Sequence, residues 1–136
     1  MFRISNRKIY YYIYLLFLVS PICFPAINLA AAAEQPDFTM LVGEWVRPDG
    51  GYVIRVRDIK PDGSVDAGYF NPNVINVAEA NVSELKGLVK LFIKLDDAGY
   101  PGSTYTLYYY AEKDALAGFY YQAAIKQTFE VVFLRK

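Results

Sequence analysis

Histidine is missing from this chain altogether, and its single cysteine, Cys23, lies close to the amino terminus. Without histidine there is no serine or cysteine nucleophile activated by an imidazole base. Without histidine and with one cysteine, the usual ligand sets of zinc and copper sites are absent too, so no metal and no cofactor is expected. Neither sign of charge is in excess, 14 Lys and Arg balancing 14 Asp and Glu. Helical periodicity is also lacking, and no stretch beyond the amino-terminal segment reads as a helix.

What is present begins with a tripartite leader. Arg3, Arg7 and Lys8 precede an apolar run from Ile9 to Leu29, which ends in the small residues Ala30 to Ala33. A basic region, an apolar region and an A-x-A exit are the parts of a secretory signal. Pro21 and Pro25 disturb a spanning helix and suit the extended segment that a peptidase cleaves. Residues 1–33 are therefore expected to be a signal peptide, cut after Ala32 or Ala33. An uncleaved anchor is the alternative, since about 20 apolar residues cross a bilayer. Cys23 as a lipidation site is disfavoured by the Pro21 and Ile22 before it. Either way residues 34–136 are expected to lie outside the cytoplasm, periplasmic or extracellular, with no membrane span after cleavage.

Cleavage removes three basic residues and no acidic one, leaving a net charge of about −3. That sign argues against a nucleic-acid partner, which needs clustered Lys and Arg to neutralise phosphate. The remaining domain has no cysteine, so a buried core rather than disulfides must stabilise it. Nine tyrosines remain, each able to bury a ring while its hydroxyl finds a partner.

Seven turn signals punctuate this domain: "PDGG" (48–51), "PDG" (61–63), "NPN" (71–73), "ELKG" (84–87), "DDAGYPG" (96–102), "EKDA" (112–115) and the region of Lys126 and Gln127. Gly supplies positive φ, Pro presets φ, and Asp or Asn bonds back to the local backbone. Between the turns lie short segments rich in Val, Ile, Tyr, Phe and Thr, which predict eight antiparallel strands. Alternation assigns faces to them. Tyr52, Ile54 and Val56 oppose Arg55 and Arg57; Val89, Leu91, Ile93 and Leu95 oppose Lys90 and Lys94; Phe129, Val131 and Phe133 oppose Thr128 and Glu130. Both faces of 103–111 carry aromatics. Eight strands with short connections predict an all-β, up-and-down barrel, which removes exposed sheet edges.

Gly43-x-Trp45 on the first strand and Arg135 on the last resemble the pattern shared by the calycins, the barrels that include lipocalins, fatty-acid-binding proteins and avidins. The resemblance implies a calycin-like barrel in which Arg135 packs over Trp45 where the first and last strands meet. Independently of any family, a planar guanidinium stacks well on indole, and a glycine leaves room for close approach. "LAGFY" (116–120) is similar to the L-x-G-x-Y of a late avidin-type strand. Trp45 stands alone, whereas avidins line the biotin site with several tryptophans, so biotin binding is not carried over. The Thr-Asp-Tyr element of lipocalins is absent. "YFNPN", "DAGYPGS" and "YYQAAIKQTFEV" resemble an uncharacterised family of small exported bacterial proteins, which implies export and no activity.

No motif carries convincing catalysis. "SELK" (83–86) has the S-x-x-K spacing of penicillin-recognising enzymes but lies at a strand end, with no accompanying S-D-N or K-T-G. Asp96 and Asp97 form the densest carboxylate pair, read as a solvated turn, with calcium as the weaker alternative. Tyr100 belongs to a tight corner or to a lid over the barrel mouth. "NVS" (81–83) fits a glycosylation sequon that matters only in a eukaryotic secretory pathway.

Three functional readings remain open. In the first, a non-enzymatic barrel binds a small apolar or aromatic ligand, with Tyr52, Tyr69, Tyr105, Tyr109 and Tyr120 as walls and Asn71, Asn73 and Gln122 as orienting amides. In the second, a filled barrel serves as an envelope or extracellular interaction module, presenting Phe70, Phe92, Tyr108 and Tyr110 to a protein partner. The third, an enzyme using only carboxylates and tyrosines, is the weakest. A cavity lined by the tyrosines would favour the first, a filled interior with an outer aromatic patch the second.

Overall fold

The computed structural model describes residues 36–136. The expected signal peptide and its cleavage site lie outside the described residues. The chain forms β1 (Gly43–Val46), β2 (Val53–Ile59), β3 (Val65–Asn71), β4 (Asn73–Ile75), β5 (Val77–Leu85), β6 (Leu88–Leu95), β7 (Thr104–Tyr110), β8 (Ala115–Gln122) and β9 (Gln127–Arg135), with single 3-10 turns at Thr39–Leu41 and Ala111–Lys113. All strand pairings are antiparallel, and the sheet order is β4-β3-β2-β1-β9-β8-β7-β6-β5. The result is a small, nearly closed β-barrel.

Its strands number nine, where the turn signals predict eight. The difference is a break at Asn76 within the strand that follows "NPN". Before the break, β4 pairs with β3; after it, β5 pairs with β6. Asn76 itself is drawn to the loop between β6 and β7. Its backbone N–H donates to the Asp97 carboxylate at 2.8 Å, its side-chain amide donates to the Asp96 carbonyl at 3.1 Å, and its own carbonyl accepts from Asp96 N–H at 3.1 Å. A residue that spends its backbone groups on a loop cannot also continue a ladder. Beyond the break β5 leans back to β3 through a bridge between Ser64 and Asn81 and a bond from Val82 N–H to the Gly63 carbonyl at 2.8 Å.

The hairpins follow from their turn residues. Lys86 and Gly87 both have positive φ, 52° and 78°, as a two-residue turn between right-twisted strands requires. Asp62 accepts from the backbone N–H and the hydroxyl of Ser64, closing the "PDG" turn. At Gly118 on β8 a Cβ would lie 2.1 Å from the Thr106 carbonyl, so β7 and β8 approach there only because a hydrogen replaces it.

Inward-facing residues fill the barrel. Trp45, Ile54, Tyr69, Leu91, Ile93, Leu95, Tyr105, Leu107, Leu116 and Phe133 are fully buried. Tyr105 stacks on Tyr120 with ring centroids 4.6 Å apart and meets Phe133 edge-on at 5.5 Å. The outer face is polar on β2 and β3, where Arg55 pairs with Glu44 and Arg57 with Asp66. On β7 to β9 it carries exposed apolar side chains, Tyr110, Phe119, Val132 and Leu134.

Candidate functional site

The two ends of the barrel differ. At one end β1 meets β9, with Trp45 directly opposite Arg135. The Arg135 guanidinium lies 4.1 Å from the centroid of the indole. Its Nε donates to the Asp114 carboxylate at 2.6 Å, Nη1 to the Val42 carbonyl at 3.0 Å and Nη2 to the Met40 carbonyl at 2.5 Å. Trp45 Nε1 donates to the Leu41 carbonyl at 2.9 Å, and the 3-10 turn thereby holds the buried Leu41 across this end. A Cβ on Gly43, whose φ is 139°, would meet Arg135 Nη1 at 2.8 Å. Every special residue at this end is engaged in closing it.

The opposite end is a recess of about 310 Å³. Tyr52, Tyr69, Gly99, Tyr100 and Tyr120 line it. Arg47, Asn71 and Gln122 supply the polar groups. Parity explains Arg47: Gly43, Trp45 and Arg47 are two apart on one extended segment, so all three face inward. The Arg47 guanidinium lies 4.3 Å from the centroid of Tyr52, and the side chain is only 13% exposed. Its Nε and Nη2 donate to the carboxylate of Asp49, a side chain that is 62% exposed on the "PDGG" turn. The Asn71 amide donates to the Tyr100 hydroxyl, tying the 96–102 loop to the end of β3. Asp97 anchors the same loop to Asn76, and bonds from the backbone of Asn76 and Ala98 hold its carboxyl below the ordinary 3.8.

Beneath the recess the hydroxyls of Tyr69 and Tyr105 share a hydrogen bond of 2.8 Å, in which either can donate. Burial pushes both upward. Tyr69 is held well above the ordinary 10.0. Tyr105 is raised to about 12, because its bonds to Tyr69 and the nearby Arg47 guanidinium partly offset the burial. These phenols are neutral across the physiological range and act as fixed hydrogen-bonding groups.

Of the residues singled out in the sequence as ligand-binding, Tyr52, Tyr69, Asn71, Tyr120 and Gln122 come together at the recess. Tyr105 lies fully buried below it. Asn73 is exposed on β4 and does not line the recess. Tyr109 is at the closed end, edge-on to Trp45 at 6.0 Å and donating to Asp114 at 3.1 Å. Sequence reasoning missed Arg47 as a mouth residue, although its spacing from Trp45 carried the signal.

Among the described residues no group of three or more Asp, Glu, His or Cys side chains is placed to hold a metal ion, and no helix is long and apolar enough to cross a membrane. Compared with protein-family models, with curated proteins and with solved structures, the chain matches none.

Proposed function

We propose that this is an exported, non-enzymatic, calycin-like barrel that binds a small ligand at its open mouth. The observation that carries the reading is the contrast between a filled interior and an uncovered recess lined by aromatic rings, two amides and an inward-facing arginine. A few polar groups converging on an aromatic concavity is the composition of small-molecule sites. The full burial of Tyr69 and Tyr105 supports a site at the mouth over one along the barrel axis. The calycin kinship rests on Gly43, Trp45 and Arg135, which meet at the pairing of the first and last strands.

A second reading is favoured by one observation, the exposed apolar outer face of Tyr110, Phe119, Val132 and Leu134. In that reading the face receives a protein partner in the envelope or outside the cell.

Native mass spectrometry of protein isolated from its own compartment separates the two. A retained small ligand that is lost in Asn71→Ala and Gln122→Ala is the expected result. A clean ligand-free mass accompanied by a stable protein partner would overturn the mouth-binding reading in favour of the second.

A further inference from the structure

The nine residues of β9 are served unequally by their two neighbouring strands. β8 pairs with residues 127–134, whereas β1 reaches only Leu134 and Arg135. The register of Trp45 with Arg135 and Val46 with Leu134 would bring Pro48 opposite Val132. Proline has no N–H to give, and the chain turns away there at "PDGG". Lys136 N–H donates to the Glu44 carbonyl at 3.0 Å, so alternation directs the N–H and C=O of Leu134, Val132, Glu130 and Thr128 to this same side. Leu134 meets Val46; the other three have no ladder partner on that side among the described residues.

Such an edge is a template for another strand, and proteins normally blunt it with proline, lysine, a bulge or shortness. The two strands at the ends of the sheet order follow that rule. β4 has only three residues, and β5 shifts register between Val77 and Glu79 and leans on β3 through the bridge of Asn81 to Ser64. Residues 127–133 of β9 contain no proline, lysine or bulge, and Thr128, Phe129, Glu130 and Val132 are exposed.

The charges beside this edge fit a second copy of it. Lys126 and Glu130 are both exposed and belong to none of the ion pairs among the described residues. In antiparallel self-pairing about Thr128, that residue faces its own copy and Glu130 lies opposite the partner's Lys126, twice over by symmetry. Centring on Phe129 would set both charges opposite uncharged residues, and centring on Glu130 would oppose two carboxylates. We infer that two copies of this chain join β9 to β9 about Thr128, making a two-fold dimer with one continuous sheet. The dimer does not depend on a ligand at the mouth.

Sedimentation velocity over a concentration series, on protein isolated from its own compartment, is expected to show monomer giving way to dimer. Glu130→Lys opposes like charges at both symmetric positions and is expected to weaken the dimer at least about tenfold. Lys126→Glu is expected to do the same, and the two changes together to restore it. Thr128→Pro removes an N–H from the free edge and none from the β8 ladder, so it is expected to abolish the dimer while the monomer keeps its far-ultraviolet circular dichroism. The charge exchange makes the test independent of how well Thr128→Pro folds. A monomer at every concentration would overturn the β9 pairing, as would a dimer that either single reversal leaves unweakened.

Discussion

Each end of the barrel carries an arginine stacked on an aromatic ring and paired with an aspartate, 4.1 Å from Trp45 at one end and 4.3 Å from Tyr52 at the other. At the Trp45 end the aspartate is helped by two backbone carbonyls, a 3-10 turn covers the indole, and a glycine makes room for the guanidinium. At the Tyr52 end the aspartate reaches Arg47 from an exposed turn, and the buried Tyr105 hydroxyl is its other side-chain partner. The same residue pair is completed by backbone carbonyls at one end and by side chains alone at the other.

The largest effect expected from breaking this comparison comes from Trp45→Ala. Removing a fully buried indole from the closed end costs about 3–5 kcal/mol in denaturant unfolding. Next come the arginines. Arg135→Met removes a stack, leaves two carbonyls without their donor and leaves Asp114 with the Tyr109 hydroxyl alone, an expected loss of about 2 kcal/mol. Arg47→Met is expected to cost less than about 1 kcal/mol, since its carboxylate partner is well solvated. Equal losses for the two would erase the distinction between the ends.

Alkaline titration sharpens the view of the floor. Tyr69 and Tyr105 ionise in the unfolded chain near 10.0 but are held higher in the fold, Tyr105 at about 12. The unfolded state gives up these protons first, so stability is intact below pH 10 and falls as pH rises from 10 toward 12. Phenolate absorbance monitored beside circular dichroism should show these two titrating together with unfolding; Tyr105→Phe should move the alkaline limb upward.

The smallest effect concerns acid. Arg135 beside Asp114 and Arg47 beside Asp49 hold both carboxyls below 3.8. The stability these pairs contribute is present above about pH 4 and is lost as pH falls through the lower folded values. Asp114→Asn should flatten the acid limb of a pH-stability curve slightly, as suits solvated ion pairs.

The sheet was legible where the signal is local. Lys86-Gly87 and Pro61-Asp62-Gly63 fold as turns because φ preference and side-chain bonding are properties of those residues themselves. The buried rows Ile54 with Val56 and Leu91 with Ile93 and Leu95 followed from alternation. The break at Asn76 was not legible, because its cause is Asp96 and Asp97, some 20 residues away, reaching it across the fold. The same distance problem scattered the candidate ligand residues. Parity assigned Tyr105 and Tyr109 to the interior along with Tyr69, but depth along the barrel axis depends on register between strands, and register put one under the mouth and the other at the far end. Arg47 was within reach of parity and was obscured by its place beside Pro48 in a turn.

Every pair of neighbouring strands in the sheet is consecutive along the chain except β1 and β9. The pairing that Arg135 seals joins it to Val42, 93 positions away. In kinetic terms the hairpins can form early with little loss of chain entropy, while this seam must wait until the two ends of the domain have been brought round by all the others. Substitutions at Arg135 should therefore leave the refolding rate nearly unchanged and express their cost as faster unfolding, which makes the seam the part of the molecule that sets its lifetime once folded.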